Sequence, residues 1–374
     1  MLTKIITLML VSMGASAKFD ATIPVLDMND YYSESRHQKF INGLSQAMQT
    51  VGFVAVINSR VDKKILDEAY EESKKFYSEP VESKMLYHDP KLNGQRGYVQ
   101  GETAKGKNNK DYKEFYHIAR DYPEDVIKEF NYPLNIWPNN YKFKVAMQKL
   151  ISELNQYTEV IERALAESIG KEPDFFSKMT KHGSFLLRSI HYPANPPTGT
   201  LWAAEHTDID LFTILPRATA EGLQVLNQDS QWIDVKVPDN AFIINAGDML
   251  QNITNGVYKS AKHRVASKGN NLARYSMVAF IHSRPNDPMD PLPEFIKKVG
   301  TRKFANATSM ELLSERLIDL GLGTPALLDQ FAKSGAAERL IEVNRASTKV
   351  LQSLRKAKLA SNTVLLELDR IEKY

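Results

Sequence analysis

From Ser184 to Ser283 the chain breaks into short β-rich runs separated by turn signals: Phe185-Leu186-Leu187, Leu211 to Leu215, Leu223 to Leu226, Trp232 to Val235, Ala241 to Asn245 and Arg274 to His282. Strands this short, at roughly 8–12-residue spacing, predict a sandwich or jelly roll rather than a parallel sheet. Inside the block lies Glu205-His206-Thr207-Asp208, and His263 follows 57 positions after His206 (206 to 263). His206 falls at the end of a predicted strand, Asp208 in the turn before Leu211, and His263 within the β-rich stretch Lys259 to Val265. Jelly rolls gather such strand ends around one mouth, where ligands distant in sequence can meet.

Two imidazoles and one carboxylate are the donor set that leaves one face of an octahedral ferrous ion open for oxygen chemistry. Beyond His263 comes Arg274-Tyr275-Ser276. Residues at i and i+2 of a strand share a face, so a guanidinium fork and a hydroxyl stand side by side there, fitted to grip a carboxylate. A metal trap beside a carboxylate trap reads as a non-haem iron oxygenase. His-x-Asp alone recurs by chance, and His37, His88, His117 and His182 are read as core or surface side chains.

Composition narrows the partners. Basic and acidic residues number 48 and 45, a balance of +3 with no basic stripe or arm, which argues against nucleic acid. There is no cysteine, so thiolate zinc sites, iron–sulfur clusters and disulfides are excluded and any metal rests on nitrogen and oxygen. Apolar residues at 43% and charged residues at 25% suit a globular chain that buries a large core.

At the start, Lys4, an apolar run from Ile5 to Met13 and Ala15-Ser16-Ala17 have the pattern of a secretory signal spanning residues 1–17, cut after Ala17. The run is too short to span a bilayer, so stable membrane insertion is not expected. Export or a periplasmic location follows from that reading; the availability of ferrous iron and metabolic co-substrate favours the alternative, a cytoplasmic protein.

The rest divides into an N-terminal α/β segment with a long helix (18–170), the β core (171–290) and a helical C-terminal extension (291–374). In the first, Ile23 to Asp27 reads as an entry strand, and Phe40, Leu44, Met48 and Val51 form a helical stripe ended by Gly52. Lys91 to Asp111, rich in Gly, Asn and Lys, reads as one long loop. Met147, Leu150, Leu154, Ile161 and Leu165 mark the buried face of a long helix. Within the core, Gly247-Asp248 is expected to make a tight strand-to-strand turn and Asn255-Gly256 a hairpin-like reversal. Tyr258 and Lys259 are read as positioning the strand of His263, and Arg264 as facing away from the metal. Ala337 to Tyr374 is expected to be a helix that covers a sheet face, with an oligomer contact as the alternative; the oligomeric state is not read from sequence.

Taken together, these residues resemble the isopenicillin N synthase-like branch of the iron(II)- and 2-oxoglutarate-dependent oxygenases. The likeness runs from Ile23 to about Leu320. It is densest in Leu187-Arg188-Ser189-Ile190-His191-Tyr192-Pro193, Glu205 to Asp208, Gly247 to Gln251, Asn255 to Ser260 and His263-Arg264-Val265. It implies a double-stranded β-helix (jelly-roll) core wrapped by helices, with Fe(II) on His206, Asp208 and His263. It further implies 2-oxoglutarate anchored by Arg274 and Ser276 with help from Tyr192, dioxygen as oxidant, and a small organic substrate hydroxylated or desaturated with release of succinate and carbon dioxide. Ile190 stands where many members carry asparagine, and an aliphatic side chain supplies no polar contact to the co-substrate. Two alternatives remain open at this level: an isopenicillin N synthase-like or ACC-oxidase-like oxidase in which Arg274 and Ser276 hold the substrate's own carboxylate, and a non-catalytic metal- or carboxylate-binding protein.

Overall fold

The computed structural model describes residues 22–102, 111–269 and 272–373; the candidate signal segment lies outside them. Among the described residues there are twelve strands: β1 (Val25–Asp27), β2 (Phe53–Ile57), β3 (Gly97–Gln100), β4 (Glu114–Ala119), β5 (Phe185–Tyr192), β6 (Ala203–His206), β7 (Phe212–Leu215), β8 (Leu223–Leu226), β9 (Trp232–Asp234), β10 (Phe242–Ala246), β11 (His263–Val265) and β12 (Arg274–Ile281). They form an eight-stranded sheet in the order β1-β2-β10-β7-β12-β5-β4-β3 and a four-stranded sheet in the order β6-β11-β8-β9. Only β1 and β2 pair in parallel; the remaining neighbours are antiparallel. The two sheets face one another as the predicted jelly roll, with Phe53, Phe115, Ile190, Tyr192, Trp202, Leu223, Val225 and Val265 packed between them.

Side-chain alternation along β12 explains the layering. Met277, Ala279 and Ile281 point into a second apolar core shared with the helices behind the large sheet, while Arg274 and Ser276 point between the sheets. The helix Tyr141–Ser168 is the spine of that outer layer. Its N-cap Asn140 accepts from the backbone of Lys142 and Phe143, and Phe143, Met147, Leu150, Leu154, Ile161 and Leu165 form its buried stripe. The C-terminal extension has a small core of its own around Phe331, Leu351, Leu354, Val364 and Leu368.

Four expectations are corrected. Gly247-Asp248 is no strand-to-strand turn: Gly247 caps a short helix, Asp248–Ile253. A side chain at 247 would come within 2.1 Å of the Asp210 carbonyl, so the approach of the two backbones requires glycine. Nor is Asn255-Gly256 a hairpin reversal. Both residues are left-handed (φ 50° and 81°), and Gly256 N–H donates to the Gln251 carbonyl at 2.8 Å, closing that same helix. Lys91 to Asp111 contains β3, which pairs with the unforeseen strand β4; residues 103–110 of the loop lie outside the described residues. Every residue of β4 is buried, so no alternation betrayed it. Finally, Ala337 to Tyr374 is not one helix. Ala336–Glu342, Thr348–Lys356 and Asn362–Glu372 are separated at Asn344 and Lys358, whose positive φ of 55° and 61° an α-helix cannot carry.

Candidate active site

Antiparallel pairing of β6 with β11 sets His263 directly opposite His206, which brings residues far apart in the chain to a ring-centroid distance of 4.3 Å. Asp208 follows in the turn out of β6. His206 Nε2 and His263 Nε2 lie 3.8 and 3.7 Å from Asp208 Oδ1, and the three donor atoms fall within 4.8 Å of one another. These separations are too long for hydrogen bonds, so the donors converge without satisfying each other.

What holds each donor also decides its form. Nδ1 of His206 lies 2.7 Å from the Ala204 carbonyl and Nδ1 of His263 lies 3.2 Å from that of Ala261. A carbonyl can only accept, so Nδ1 carries the proton and the Nε2 lone pair of each ring is left for the centre. Burial, then the neighbouring His263, pushes the His206 pKa down and keeps the ring neutral. Asp208 Oδ2 accepts from Thr213 Oγ1 at 2.7 Å and from Asn245 Nδ2 at 2.9 Å, which turns Oδ1 toward the imidazoles. Burial alone would raise the Asp208 pKa and protonated imidazoles would lower it; the hydrogen bonds from Thr213 and Asn245 favour the carboxylate whatever the charge on the rings, and the net direction is down, so Asp208 stays ionised. Two neutral imidazoles and an anionic carboxylate are the forms in which such a trio binds a divalent cation.

Thr213 and Asn245 were not foreseen from sequence. They stand opposite each other on β7 and β10, so the pair that orients Asp208 is made by strand register.

Arg274, Ser276 and Tyr192 are also brought together. β12 against β5 pairs Arg274 with Tyr192 and Ser276 with Ile190. Arg274 is 2% exposed, its Nη1 donates to Ser276 Oγ at 3.2 Å, its Nε donates to the Ala220 carbonyl at 3.0 Å, and its guanidinium carbon sits 4.9 Å from the Tyr192 ring centroid. Among the described residues no carboxylate lies within 4.0 Å of it. A buried cation without a counter-ion is costly, so this position calls for an anion from outside the chain. Ile190 is buried in the apolar cluster beside Phe115 and Tyr192 and forms a wall of the chamber.

A second polar group shares the interior. Arg188, two positions before Ile190 and on the same face, donates to Glu102 at 2.9 Å and from Nε to His117 Nε2 at 2.6 Å, between the rings of Phe115 and Phe280. Lys113 bridges Glu102 at 3.0 Å and Asp111 at 2.9 Å, and Asp111 Oδ1 accepts from Ala204 N–H at 2.8 Å, on the strand that ends in His206. Burial would raise the Glu102 pKa, but Arg188 and Lys113 overcome it and hold the carboxylate ionised. The i, i+2, i+4 spacing of Arg188, Ile190 and Tyr192 on one strand could have signalled this wall but was not read; Glu102, Lys113 and Asp111 gave no such signal. His117, read as a core or surface side chain, is buried and belongs to this wall. Tyr258 donates to the Ser168 carbonyl at 3.1 Å, and Arg264 lies over Trp232 and donates to Gln224 at 2.7 Å.

Residues 23–140 match the family described as non-haem dioxygenase in morphine synthesis N-terminal, and residues 183–283 match the 2OG-Fe(II) oxygenase superfamily. A 2-oxoglutarate-Fe(II) type oxidoreductase of Aspergillus fumigatus is 28% identical over 309 residues, 78% of this chain and 91% of that protein. Among solved structures, a 2OG-Fe(II) oxygenase family protein from Caulobacter crescentus superposes with a TM-score of 0.72 at 31% identity, covering 79% of this chain and 98% of its own. The full-length Neurospora crassa protein T7H, solved with α-ketoglutarate (2-oxoglutarate), gives 0.71 at 26% identity, with coverage of 81% and 98%.

Proposed function

The chain belongs to the 2OG-Fe(II) oxygenase superfamily, and from that membership we propose how its own residues divide the work. It is a non-haem Fe(II)- and 2-oxoglutarate-dependent dioxygenase. Metal and co-substrate supply the oxidising power: with dioxygen, 2-oxoglutarate is decarboxylated to succinate and carbon dioxide while a small organic substrate is oxidised.

His206, Asp208 and His263 hold the ferrous ion. The observation that carries this assignment is the convergence of three donor atoms, each oriented by its own anchor and none bonded to another. Thr213 and Asn245 keep Asp208 Oδ1 facing the metal. Arg274 and Ser276 bind the distal carboxylate of 2-oxoglutarate, with Tyr192 beneath the guanidinium; the lack of a counter-ion at Arg274 supports this role. Arg188, Ile190, Phe115 and Phe280 wall the chamber and limit water there.

Anaerobic Fe(II) titration tests the reading. His206→Ala, Asp208→Ala and His263→Ala should each lose most of their iron affinity and nearly all succinate release while the fold persists. Wild-type affinity in all three would sink the assignment. The N-terminal segment that precedes the core supports placing the chain in the isopenicillin N synthase-like branch. Lys4, Ile5 to Met13 and Ala15-Ser16-Ala17 support export, with a mature start at Lys18 that mass spectrometry of the native protein would detect. Among the described residues no helix is long and apolar enough to cross a membrane.

A further inference from the structure

A cavity of about 630 Å³ opens beside His206, between the mouth of the jelly roll and the C-terminal extension. One side is the turn that carries Thr207; the other is supplied by Phe304, Leu312, Arg316, Leu340 and Arg345. Its size is that of a small-molecule site, and its lining combines apolar side chains with a few charged ones.

Two cations in this lining lack a full set of partners. Arg316 is 9% exposed, with Nη1 donating to the Thr207 carbonyl at 2.7 Å and Nη2 donating to Thr207 Oγ1 and pairing with Asp248. Its buried Nε–H has no acceptor. An unmet buried donor costs free energy, and a ligand acceptor placed in the cavity would recover it. Arg345 has its guanidinium carbon 3.7 Å from the Phe304 ring centroid and, among the described residues, no carboxylate within 4.0 Å. The lining is of mixed charge, with Lys262, Arg316 and Arg345 basic and Glu205, Asp248 and Glu315 acidic; Asp248 is paired with Arg316, and Asp248 and Glu315 act on Arg345 at longer range. The cavity therefore suits a ligand with one acidic end and a largely apolar body rather than a polyanion.

We propose that this cavity is the substrate site, that the substrate is an organic acid, and that Arg345 and Arg316 receive its acidic group while Phe304, Leu312 and Leu340 receive its body. The inference rests on the oxygenase reading. Arg316 is bonded to Thr207, which stands between His206 and Asp208, so an acid held there lies against the turn that links these two candidate ligands. The C-terminal extension thereby selects the substrate, and the core oxidises it.

The test uses the full chain under anaerobic conditions with Fe(II) and saturating 2-oxoglutarate. The probes are straight-chain and aryl carboxylates, each paired with its methyl ester and with the amine of the same skeleton. Thermal melting reads binding, and succinate release after admission of oxygen reads turnover. The acids should stabilise the protein and speed succinate release while their esters do not. Arg345→Met should raise the acid concentration needed by roughly ten- to a hundredfold, mainly in KM, the loss expected for a hydrogen-bonded charge. Arg345→Glu should shift preference toward the amines, a reversal that a merely structural arginine would not produce. Esters acting as well as acids, no acid acting at all, or an Arg345→Met protein with unchanged acid dependence overturns the inference. Melting needs no turnover, so failure of the oxygenase reading, seen as no iron binding and no succinate under any condition, is scored separately.

Discussion

Replacing Arg274 by methionine separates two roles that most buried arginines combine. In the chain alone, the guanidinium is 2% exposed and has no acidic partner within 4.0 Å among the described residues. The substitution gives up its hydrogen bonds to Ala220 and Ser276, about 0.5–1.5 kcal/mol each, and its contact with the Tyr192 ring, about 0.5–2 kcal/mol. Against this stands the desolvation of an unpaired cation, several kcal/mol in a buried site, which methionine abolishes at similar length. The protein without ligand should therefore melt close to wild type. Its response to 2-oxoglutarate should be lost, because truncating one side of a buried, hydrogen-bonded charge pair costs about 2–5 kcal/mol, or roughly 30- to several-thousand-fold in Kd. At a co-substrate concentration of about 100 times the wild-type Kd, ligand stabilises wild type by about 2.7 kcal/mol. A variant with Kd raised about a hundredfold retains only about 0.4 kcal/mol by the same relation. Anaerobic melting with Fe(II), with and without 2-oxoglutarate, reads both quantities. A variant that keeps the full ligand-induced shift would show that the co-substrate carboxylate is held elsewhere. A variant unfolded without ligand would show that Arg274 is a structural residue.

Thr213→Val and Asn245→Leu each remove one of the hydrogen bonds that fix Asp208 Oδ2, and each should weaken iron binding about 10- to 100-fold by anaerobic titration with little change in secondary structure. Gly247→Ala pushes a methyl group to 2.1 Å from the Asp210 carbonyl and should destabilise the protein by about 1–3 kcal/mol while lowering iron affinity, because Asp248 N–H holds the Asp208 carbonyl at 2.8 Å; unchanged urea midpoint and iron affinity would count against this. Glu162, in the long helix, is 2% exposed, and burial pushes its pKa up to about 7 from an ordinary 4.5, with Thr180 and Arg120 offsetting part of the shift. Since the folded state then binds the proton more tightly than the unfolded chain, stability should fall as pH rises from about 4.5 to 7 and level off above, a loss of up to about 3 kcal/mol. Urea melts of Glu162→Gln should lack that decline, and a parallel decline in variant and wild type would assign it to other groups.

The donors were legible in the sequence because their meaning is local. Histidine, aspartate, arginine and serine carry their chemistry with them, and the i, i+2 spacing of His206 with Asp208 and of Arg274 with Ser276 needs no knowledge of the rest of the chain. The jelly roll was legible for a related reason: short β-rich runs with frequent turns leave few ways to bury apolar faces. Local reading also set its limits. Gly247 could be recognised as special but not as a helix cap, since the Asp210 carbonyl that demands glycine comes from another part of the chain. Strand β4 escaped notice because it is covered on both faces and shows no alternation.

What only the tertiary structure decided is who stands next to whom. Register between β6 and β11 sets His263 against His206, and register between β7 and β10 sets Asn245 against Thr213 so that both reach Asp208. The same holds for Glu102 between Arg188 and Lys113, and for Arg316 reaching from the extension to Thr207. Side-chain type is written residue by residue, but a one-residue slip in strand pairing would turn strand-borne groups such as His263, Thr213 and Asn245 to the opposite face, and it is the packing of the whole sheet that forbids the slip.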